Sequence, residues 1–412
     1  MRAKLYARHI VDAIAAAAQR WQHPDFPPRL RAQAALEART GFSAPVVEIA
    51  LERILARLTA GEIECALRAD FGSLDVLDGV APGPYGRAAY AAPAGTVLVI
   101  SSSTTIGVGL WPALLALCCH NDVILKEPEQ ALGAAFFETL TEEQPLLAGR
   151  THAAAWRGGD ERIEEPLFAR AATVVAFGSD ATLRAIRERL PISTRLVVYG
   201  GAASIGIVLR AALASEAAAA RAADGAAVDL SLYESSGCLS LHALYVERGG
   251  DVTPEHFARL LGQALERRSV EFPVGRRDLA QSAAVRSVRE VASFRQTAGH
   301  GAVLTSADLT WTLVLDPPAD AVPALLPRTL GIAPVRDAAA AFEQVAHARM
   351  PVETVGIAPA TAAEAAALAT AAANVGASRI CALGAMQDPH LASHHGARPC
   401  AADFVRWVDV ES

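Results

Sequence analysis

A cysteine placed to act as a nucleophile is the first residue in this chain that points to chemistry. The stretch Tyr233-Glu234-Ser235-Ser236-Gly237-Cys238-Leu239-Ser240-Leu241-His242 sets Cys238 directly after a glycine, in a small polar loop. An Ala-rich run, Ser215 to Ala227, precedes it, and the apolar run Leu241 to Val246 follows. Glycine lets backbone crowd a substrate, small neighbours leave the sulfur reachable, and nearby N–H groups can hold an oxyanion. The alternative is a buried structural thiol, since free cysteine is among the most buried residue types. His242 either tunes that thiolate or is a core histidine sharing a strand face with Ser240.

A second set of residues suits a nucleotide. Lysine occurs only at positions 4 and 126; every other basic side chain, histidine aside, is arginine. Lys126 ends an apolar run and precedes Glu127-Pro128-Glu129-Gln130 and a helical pattern. A lysine at a strand's carboxyl end can meet a cofactor ribose or phosphate, although a surface lysine closing a strand has the same local sequence. Phe177-Gly178-Ser179-Asp180 follows another apolar run and opens a helix. Glycine there lets a pyrophosphate approach the helix N-terminus; an ordinary turn with a serine N-cap reads the same way.

The elements that must position these groups follow from the spacing of apolar runs. Residues 1 to 80 read as helices at Leu5–Trp21, Pro28–Thr40, Pro45–Leu58 and Ile63–Arg68. Strands are then expected at Thr96–Ile100, Asp122–Lys126, His152–Trp156, Thr173–Phe177 and Arg195–Tyr199, with helices between them. Strands 20 to 30 residues apart with intervening helices are the mark of βαβ units and a parallel, doubly wound sheet. A second βα set follows Cys238, with strands at His242–Val246, Val303–Leu304 and Trp311–Leu315 and helices at Pro254–Arg267, Asp278–Thr297, Pro334–Ala348 and Thr361–Asn374. The ending Phe404 to Asp409 alternates like a strand that can pair with another subunit's sheet edge. The expected division is 1–227 for N-terminal helices and a nucleotide-binding domain, 228–388 for a catalytic domain, and 389–412 for a tail with an oligomerisation strand.

Composition narrows the class. The chain has 412 residues, 52% hydrophobic and 20% charged, with net charge -7 and pI about 5.9. That is a globular chain without the basic footprint of a nucleic-acid binder. Its 6 cysteines show no CxxC spacing, which suits reduced thiols and a cytoplasmic location. Cys118, Cys119 and His120 are consecutive and cannot converge on one metal, and His390, His394 and His395 offer one i,i+4 pair, so no metal site is expected. The uncharged run Ala88 to Asn121 is broken by Pro93, Pro112 and the polar stretch Ser101–Thr105, and fits a buried strand, a turn and a buried helix better than a membrane span.

Taken together, these motifs resemble the acyl-CoA reductase (LuxC-type) branch of the aldehyde dehydrogenase superfamily. The resemblance rests on Gly-Cys-Leu-Ser-x-His at 237–242, Gly107-Val108-Gly109-Leu110-Trp111, Lys126, Trp156-Arg157-Gly158-Gly159, Phe177-Gly178-Ser179-Asp180, and the segments Ser378–Gln387 and Val405–Val408. Lys126-x-x-Glu129-Gln130 is similar to the Lys-x-x-Glu-Gln that holds the adenosine ribose in the wider superfamily. The resemblance implies an aldehyde-dehydrogenase-like α/β fold, with a Rossmann-type cofactor domain and an α/β catalytic domain carrying the cysteine. It implies NADPH or NADH as cofactor, held by Lys126, Glu129, Ser102, Gly178 and Ser179. Glu129 would repel a 2′-phosphate and leans towards NADH, while the family leans towards NADPH. Cys238 would attack an acyl-CoA or acyl-carrier thioester, with its own N–H and a group near Thr104 holding the oxyanion, and reduction would release an aldehyde. A homodimer or higher oligomer is implied as well.

Two departures from that pattern bear on the chemistry. Aldehyde-oxidising relatives carry Glu-Leu-Gly-Gly, whose glutamate activates water; this chain reads Val198-Tyr199-Gly200-Gly201. General-base assistance is typically worth ~10²–10⁴-fold, so a site lacking it hydrolyses an acyl-enzyme poorly and favours reduction. Thr104 stands where an asparagine usually donates to the oxyanion, and losing such a donor costs ~10²–10³ in turnover. Gly396-Ala397-Arg398-Pro399 also departs from the usual His-His-Asp-Gly ending. Aldehyde oxidation, and a catalytically silent paralogue acting as a partner subunit, are the competing readings.

Overall fold

The computed structural model describes residues 5–83, 86–102, 104–128, 131–317 and 325–411. The chain opens with helices α1 (Ala7–Trp21), α2 (Pro27–Thr40), α3 (Ala44–Ala56), α4 (Ala60–Phe71) and the short α5 (Asp75–Asp78). The α1 stripe Ile10, Ile14, Ala17, Ala18 and Trp21 is buried, as helical spacing requires. Trp21 donates its indole N–H to Thr139 Oγ1 at 3.0 Å, which fixes the helical layer against the first sheet.

That sheet is built from β3 (Thr96–Ile100), α6 (Leu110–Cys118), β4 (Asp122–Lys126), α7 (Leu132–Glu143), β5 (Thr151–Ala154), α8 (Glu161–Arg170), β6 (Ala171–Phe177), α9 (Asp180–Arg189) and β7 (Arg195–Tyr199), the strands β1 (Ala81–Pro82) and β2 (Ala88–Pro93) having come before. Its order is β5-β4-β3-β6-β7, parallel throughout. The chain moves outward from β3 to β5, then returns beside β3 as β6. The crevice at this reversal lies beyond the carboxyl ends of β3 and β6, the place where such sheets bind ligands. The uncharged run at 88–121 forms β2, β3, a turn and α6, with β3 and α6 buried.

The second sheet gathers β8 (Ala203–Val208), α10 (Glu216–Ser231), β9 (Leu241–Glu247), α11 (Pro254–Arg268), α12 (Leu279–Thr297), β10 (Ala302–Thr305), β11 (Thr312–Leu315), β12 (Thr329–Val335), α13 (Ala338–His347), β13 (Val352–Ala358), α14 (Ala362–Asn374) and β14 (Arg379–Ala382). The strand order is β10-β11-β12-β9-β8-β13-β14, with β10 antiparallel to β11 and the rest parallel. Side-chain caps at Ser179, Ser215, Thr253, Asp278, Asp337 and Thr361 start its helices and α9. β15 (Val405–Val410) returns to pair with β2 at the edge of a three-stranded sheet, β1-β2-β15.

The change of sheet falls between Tyr199 and Ala203, and residue 227 lies within α10. The helix expected from Pro334 begins at Ala338, because Pro334 is still in β12, opposite Val246. Strands β8, β12, β13 and β14 were not expected from the sequence. Small residues admit their close packing: a Cβ on Gly206 in β8 would lie 2.7 Å from Leu244 Cδ1, and one on Gly356 in β13 would lie 2.6 Å from Met386 Sδ.

Candidate active site

The carboxyl ends of the first sheet face the amino ends of the second, and a cavity of about 160 Å³ lies between them. Thr105, Phe177 and Tyr199 line it from the first side, and Cys238, Glu353 and Ser378 from the second. Its remaining walls are largely apolar, with Ile54, Trp111, Leu115, Tyr233 and Leu391 prominent.

The cysteine loop is entered through an unusual turn. Tyr233, Glu234 and Ser235 have φ of 56°, 52° and 59°. Left-handed backbone costs roughly 1–2 kcal/mol per residue with a Cβ, so side chains must hold it. Glu234 is buried, and its two carboxylate oxygens bind Arg277 and Arg328, both buried side chains. Ser235 Oγ donates to Leu230 O at 2.9 Å. Beyond the turn, Gly237 N–H donates to Ser240 Oγ at 3.2 Å, and Ser240 Oγ donates to Gln387 Oε1 at 3.3 Å. Gln387 Nε2 donates in turn to the carbonyls of Asp229 and Leu232. Ser204 Oγ donates to the carbonyl of Cys238 itself at 2.6 Å. Gly237 is required for a separate reason: a Cβ there would sit 2.6 Å from Thr105 Cγ2, so glycine lets the two loops close on each other.

Cys238 is half-buried and lines the cavity. Burial first, and then the charge of Glu353, push its thiol up to about 12, while the N–H groups of Cys238 and Leu239 pull the other way. Its nearest titratable partner is His395, whose Nε2 lies 3.8 Å from Sγ. The imidazole rests against Tyr199, with ring centres 4.5 Å apart, and Tyr199 stacks on Phe177 at 4.6 Å. Burial lowers the proton affinity of His395; Glu353 opposes that effect and Arg379 adds to it. Glu353 Oε1 accepts from Ser378 Oγ at 2.7 Å and from Gly396 N–H at 2.9 Å, next to His395 in the chain.

His242, expected as a possible thiolate partner, is a core histidine. Its Nδ1 accepts from Ser204 N–H at 3.1 Å and its Nε2 faces Ser235 O at 3.2 Å, which fixes the neutral tautomer with the proton on Nε2. Burial lowers its pKa to about 4. Thr104, expected near the oxyanion, is exposed, bonds Ser102 Oγ at 2.8 Å and lines a separate cleft with Arg276 and Arg277. Its neighbour Thr105 lines the Cys238 cavity instead. Sequence reasoning missed Thr105, Glu353 and the pairing of His395 with Cys238.

The residues expected to bind cofactor lie along the first sheet's carboxyl edge. Ser102 follows β3, Lys126 ends β4, and Gly178 and Ser179 join β6 to α9. Ser179 Oγ caps α9 by accepting from Thr182 N–H. Glu129 lies outside the described residues. Lys126 is part-buried, and burial lowers its pKa. Its Nζ lies 5.8 Å from the centre of the Trp156 ring and 3.9 Å from where a Cβ on Gly158 would stand. Glu164 is taken up by Trp156, Gly159 and Arg189, and among the described residues Lys126 forms no salt bridge. A part-buried ammonium without a salt bridge, at the carboxyl end of a parallel strand, fits a ribose or phosphate group. The segment at the end of β7 carries no carboxylate, its valine and tyrosine being half-buried.

Comparison with known proteins agrees with this architecture. The chain is similar to an NAD-dependent benzaldehyde dehydrogenase from Corynebacterium glutamicum, with TM-score 0.72 and 18% identity over 99% of this chain and 86% of that one. Aldehyde dehydrogenase 21 from Physcomitrella patens, solved with succinate, gives TM-score 0.71 and 12% identity over 99% and 86%. A glyceraldehyde-3-phosphate dehydrogenase from Methanocaldococcus jannaschii, complexed with NADP, gives 0.66 and 11% over 98% and 93%. These likenesses establish the aldehyde dehydrogenase fold. No curated protein sequence matches the chain. The profile of the acyl-CoA reductase (LuxC) family matches residues 3–407, nearly the full length. The chain therefore belongs to the acyl-CoA reductase (LuxC) family, and is an NAD(P)H-dependent enzyme that reduces an acyl thioester to an aldehyde.

Proposed function

We propose that this reduction proceeds through a thioester on Cys238. The observation that carries the reading is a half-buried cysteine lining a largely apolar cavity between the carboxyl edge of the first sheet and a tied-down loop. The Cys238 thiolate attacks the carbonyl of an acyl-CoA or acyl-carrier substrate, and the carrier thiol departs. Backbone N–H groups at Cys238 and Leu239 already point towards the sulfur and lie near the nascent oxyanion, with Thr105 across the cavity. Ile54, Trp111 and Leu115 cover an alkyl chain and exclude water. Reduced nicotinamide, when bound, would supply the hydride; the bond from Cys238 Sγ to the acyl carbon then breaks, releasing the aldehyde and the cysteine thiolate. Lys126, Ser102, Gly178 and Ser179 would hold that cofactor's ribose and phosphates.

Reduction is favoured over hydrolysis by what the end of β7 lacks. Val198 and Tyr199 stand where an oxidising relative has its water-activating carboxylate, and Glu353 Oε1 already accepts two hydrogen bonds. A homodimer through the exposed edge strand β15, where Trp407, Val408 and Val410 face outward, belongs to this reading. So does a reducing, cytoplasmic setting, which the free state of all six cysteines supports. No helix among the described residues is long and apolar enough to cross a membrane.

Incubation with acyl-CoA of graded chain length and either reduced cofactor tests the activity. Cofactor oxidation that is lost in Cys238→Ala is expected. Absence of oxidation at every chain length, or activity surviving in the alanine variant, contradicts the proposal. Acid formation from aldehyde and NAD⁺ without a thiol acceptor would favour oxidation instead.

A further inference from the structure

We propose that His395 is the general base and acid of the acyl-transfer step, and that Glu353 positions it. The inference rests on the reading of Cys238 as nucleophile. The two residues are 157 positions apart in the chain, yet Nε2 of His395 lies 3.8 Å from Sγ. A buried thiol without a base holds its proton through neutral pH, and the other histidine near the loop, His242, has both ring nitrogens engaged with backbone. His395 thus supplies the one imidazole nitrogen that reaches the sulfur among the described residues.

The ring's surroundings come from three strands. Tyr199 of β7 packs against its face. Glu353 of β13 takes the N–H of Gly396 and so fixes the backbone next to the ring, and it favours an imidazolium by its charge. Arg379 of β14 opposes that charge, with its guanidinium turned to the carbonyls of Ala385 and Met386. Cys238, Glu353, Arg379 and Tyr199 are the titratable and charged groups around the ring. Glu353 acts through the backbone and the field and is a positioning residue. His395, which meets the reacting atom, is a catalytic one.

The step balances without another reactant. Nε2 takes the Sγ proton as the bond from Sγ to the carbonyl carbon forms. The tetrahedral adduct then breaks its bond to the carrier sulfur, and the imidazolium returns the proton to that departing sulfur. One carbon–sulfur bond forms, one breaks, nothing is oxidised, and His395 ends neutral.

Two measurements on the apo enzyme test this, and neither needs cofactor. The first is the rate of Cys238 alkylation by iodoacetamide against pH; the second is the rate of acylation by acyl-CoA, read by intact mass. Wild type is expected to show a plateau through neutral pH, set by deprotonation of His395. In His395→Gln both rates should fall ~10²–10⁴-fold at neutral pH and rise about tenfold per pH unit into the alkaline range. His395→Ala should be partly rescued by added imidazole, and Glu353→Gln should lose less than His395→Gln while moving the plateau's inflexion. Unchanged far-ultraviolet circular dichroism and melting in His395→Gln keep a folding defect apart. Rates within threefold of wild type with the same pH profile would overturn the assignment. If wild type is alkylated with the expected profile but never acylated, the nucleophile reading fails while the pairing of His395 with Cys238 stands.

Discussion

The two sheets that meet at the cavity are built in opposite ways. On the first-sheet side, Ser102, Lys126, Gly178 and Ser179 sit at strand ends, and the lysine is part-buried with no salt bridge among the described residues. On the second-sheet side the cysteine loop is tied to Ser204, Ser240, Gln387, Arg277 and Arg328, and its entry turn is strained. A cofactor that must enter and leave needs groups that are available. A nucleophile that must meet a carbonyl within a fraction of an ångström needs a loop that does not move. Substitutions on the second side should therefore lower stability or turnover, and those on the first side should raise the KM for cofactor.

The largest expected effect on stability is at Glu234. Glu234→Gln leaves two buried guanidiniums without their carboxylate and should cost about 3–5 kcal/mol, read from the urea midpoint at constant m-value. A loss under 1 kcal/mol would mean that the turn is held by other groups. His242 should show in the pH dependence of stability. Its folded pKa of about 4 lies below the unfolded value near 6.5, so the unfolded chain binds more protons between the two. The resulting stability, roughly 3 kcal/mol, is fully present above pH 6.5 and is lost as pH falls from there to 4. Denaturation series at stepped pH should show this acid limb in wild type and a flatter one in His242→Gln.

Gly237→Ala comes next. Its Cβ must displace Thr105 or the cysteine loop, and turnover should fall ~10²-fold with little change in cofactor KM. An unaltered turnover would show that the loops are not in register during catalysis. The smallest effect is expected on the cofactor side. Lys126→Met should weaken cofactor binding roughly tenfold, the scale of one hydrogen bond from a charged group, with turnover at saturation nearly intact. A drop in turnover with unchanged KM would reverse the contrast between the two sheets.

What the sequence disclosed follows the same divide. Cys238, Lys126 and Gly178-Ser179 each lie in a short stretch whose local pattern predicts its own geometry. Glu353, Ser378 and His395 come from the starts of β13 and β14 and from the tail, and only the pairing of β13 with β8 and β14 brings them to the sulfur. Nothing near position 353 or 395 signals a partner at 238, and in isolation His395 only follows the i,i+4 pair His390 and His394. The exchange of Thr104 for Thr105 is a matter of one residue in an irregular turn, where no periodicity fixes which side chain faces inward. The first sheet was legible because its strands alternate with helices at regular intervals. β8, β12, β13 and β14 were less so, because glycine, proline or a polar residue opens or interrupts the apolar run of each.

The central claim is tested most directly by mixing apo enzyme with acyl-CoA, quenching in acid and weighing the intact chain, then mapping the peptide that carries the added mass. One acyl group per chain on the peptide containing Cys238, discharged on adding reduced cofactor and missing in Cys238→Ala, is the predicted result. An acyl group on Cys65, Cys381 or Cys400 that discharges with reduced cofactor, or turnover with no adduct on Cys238, would contradict it.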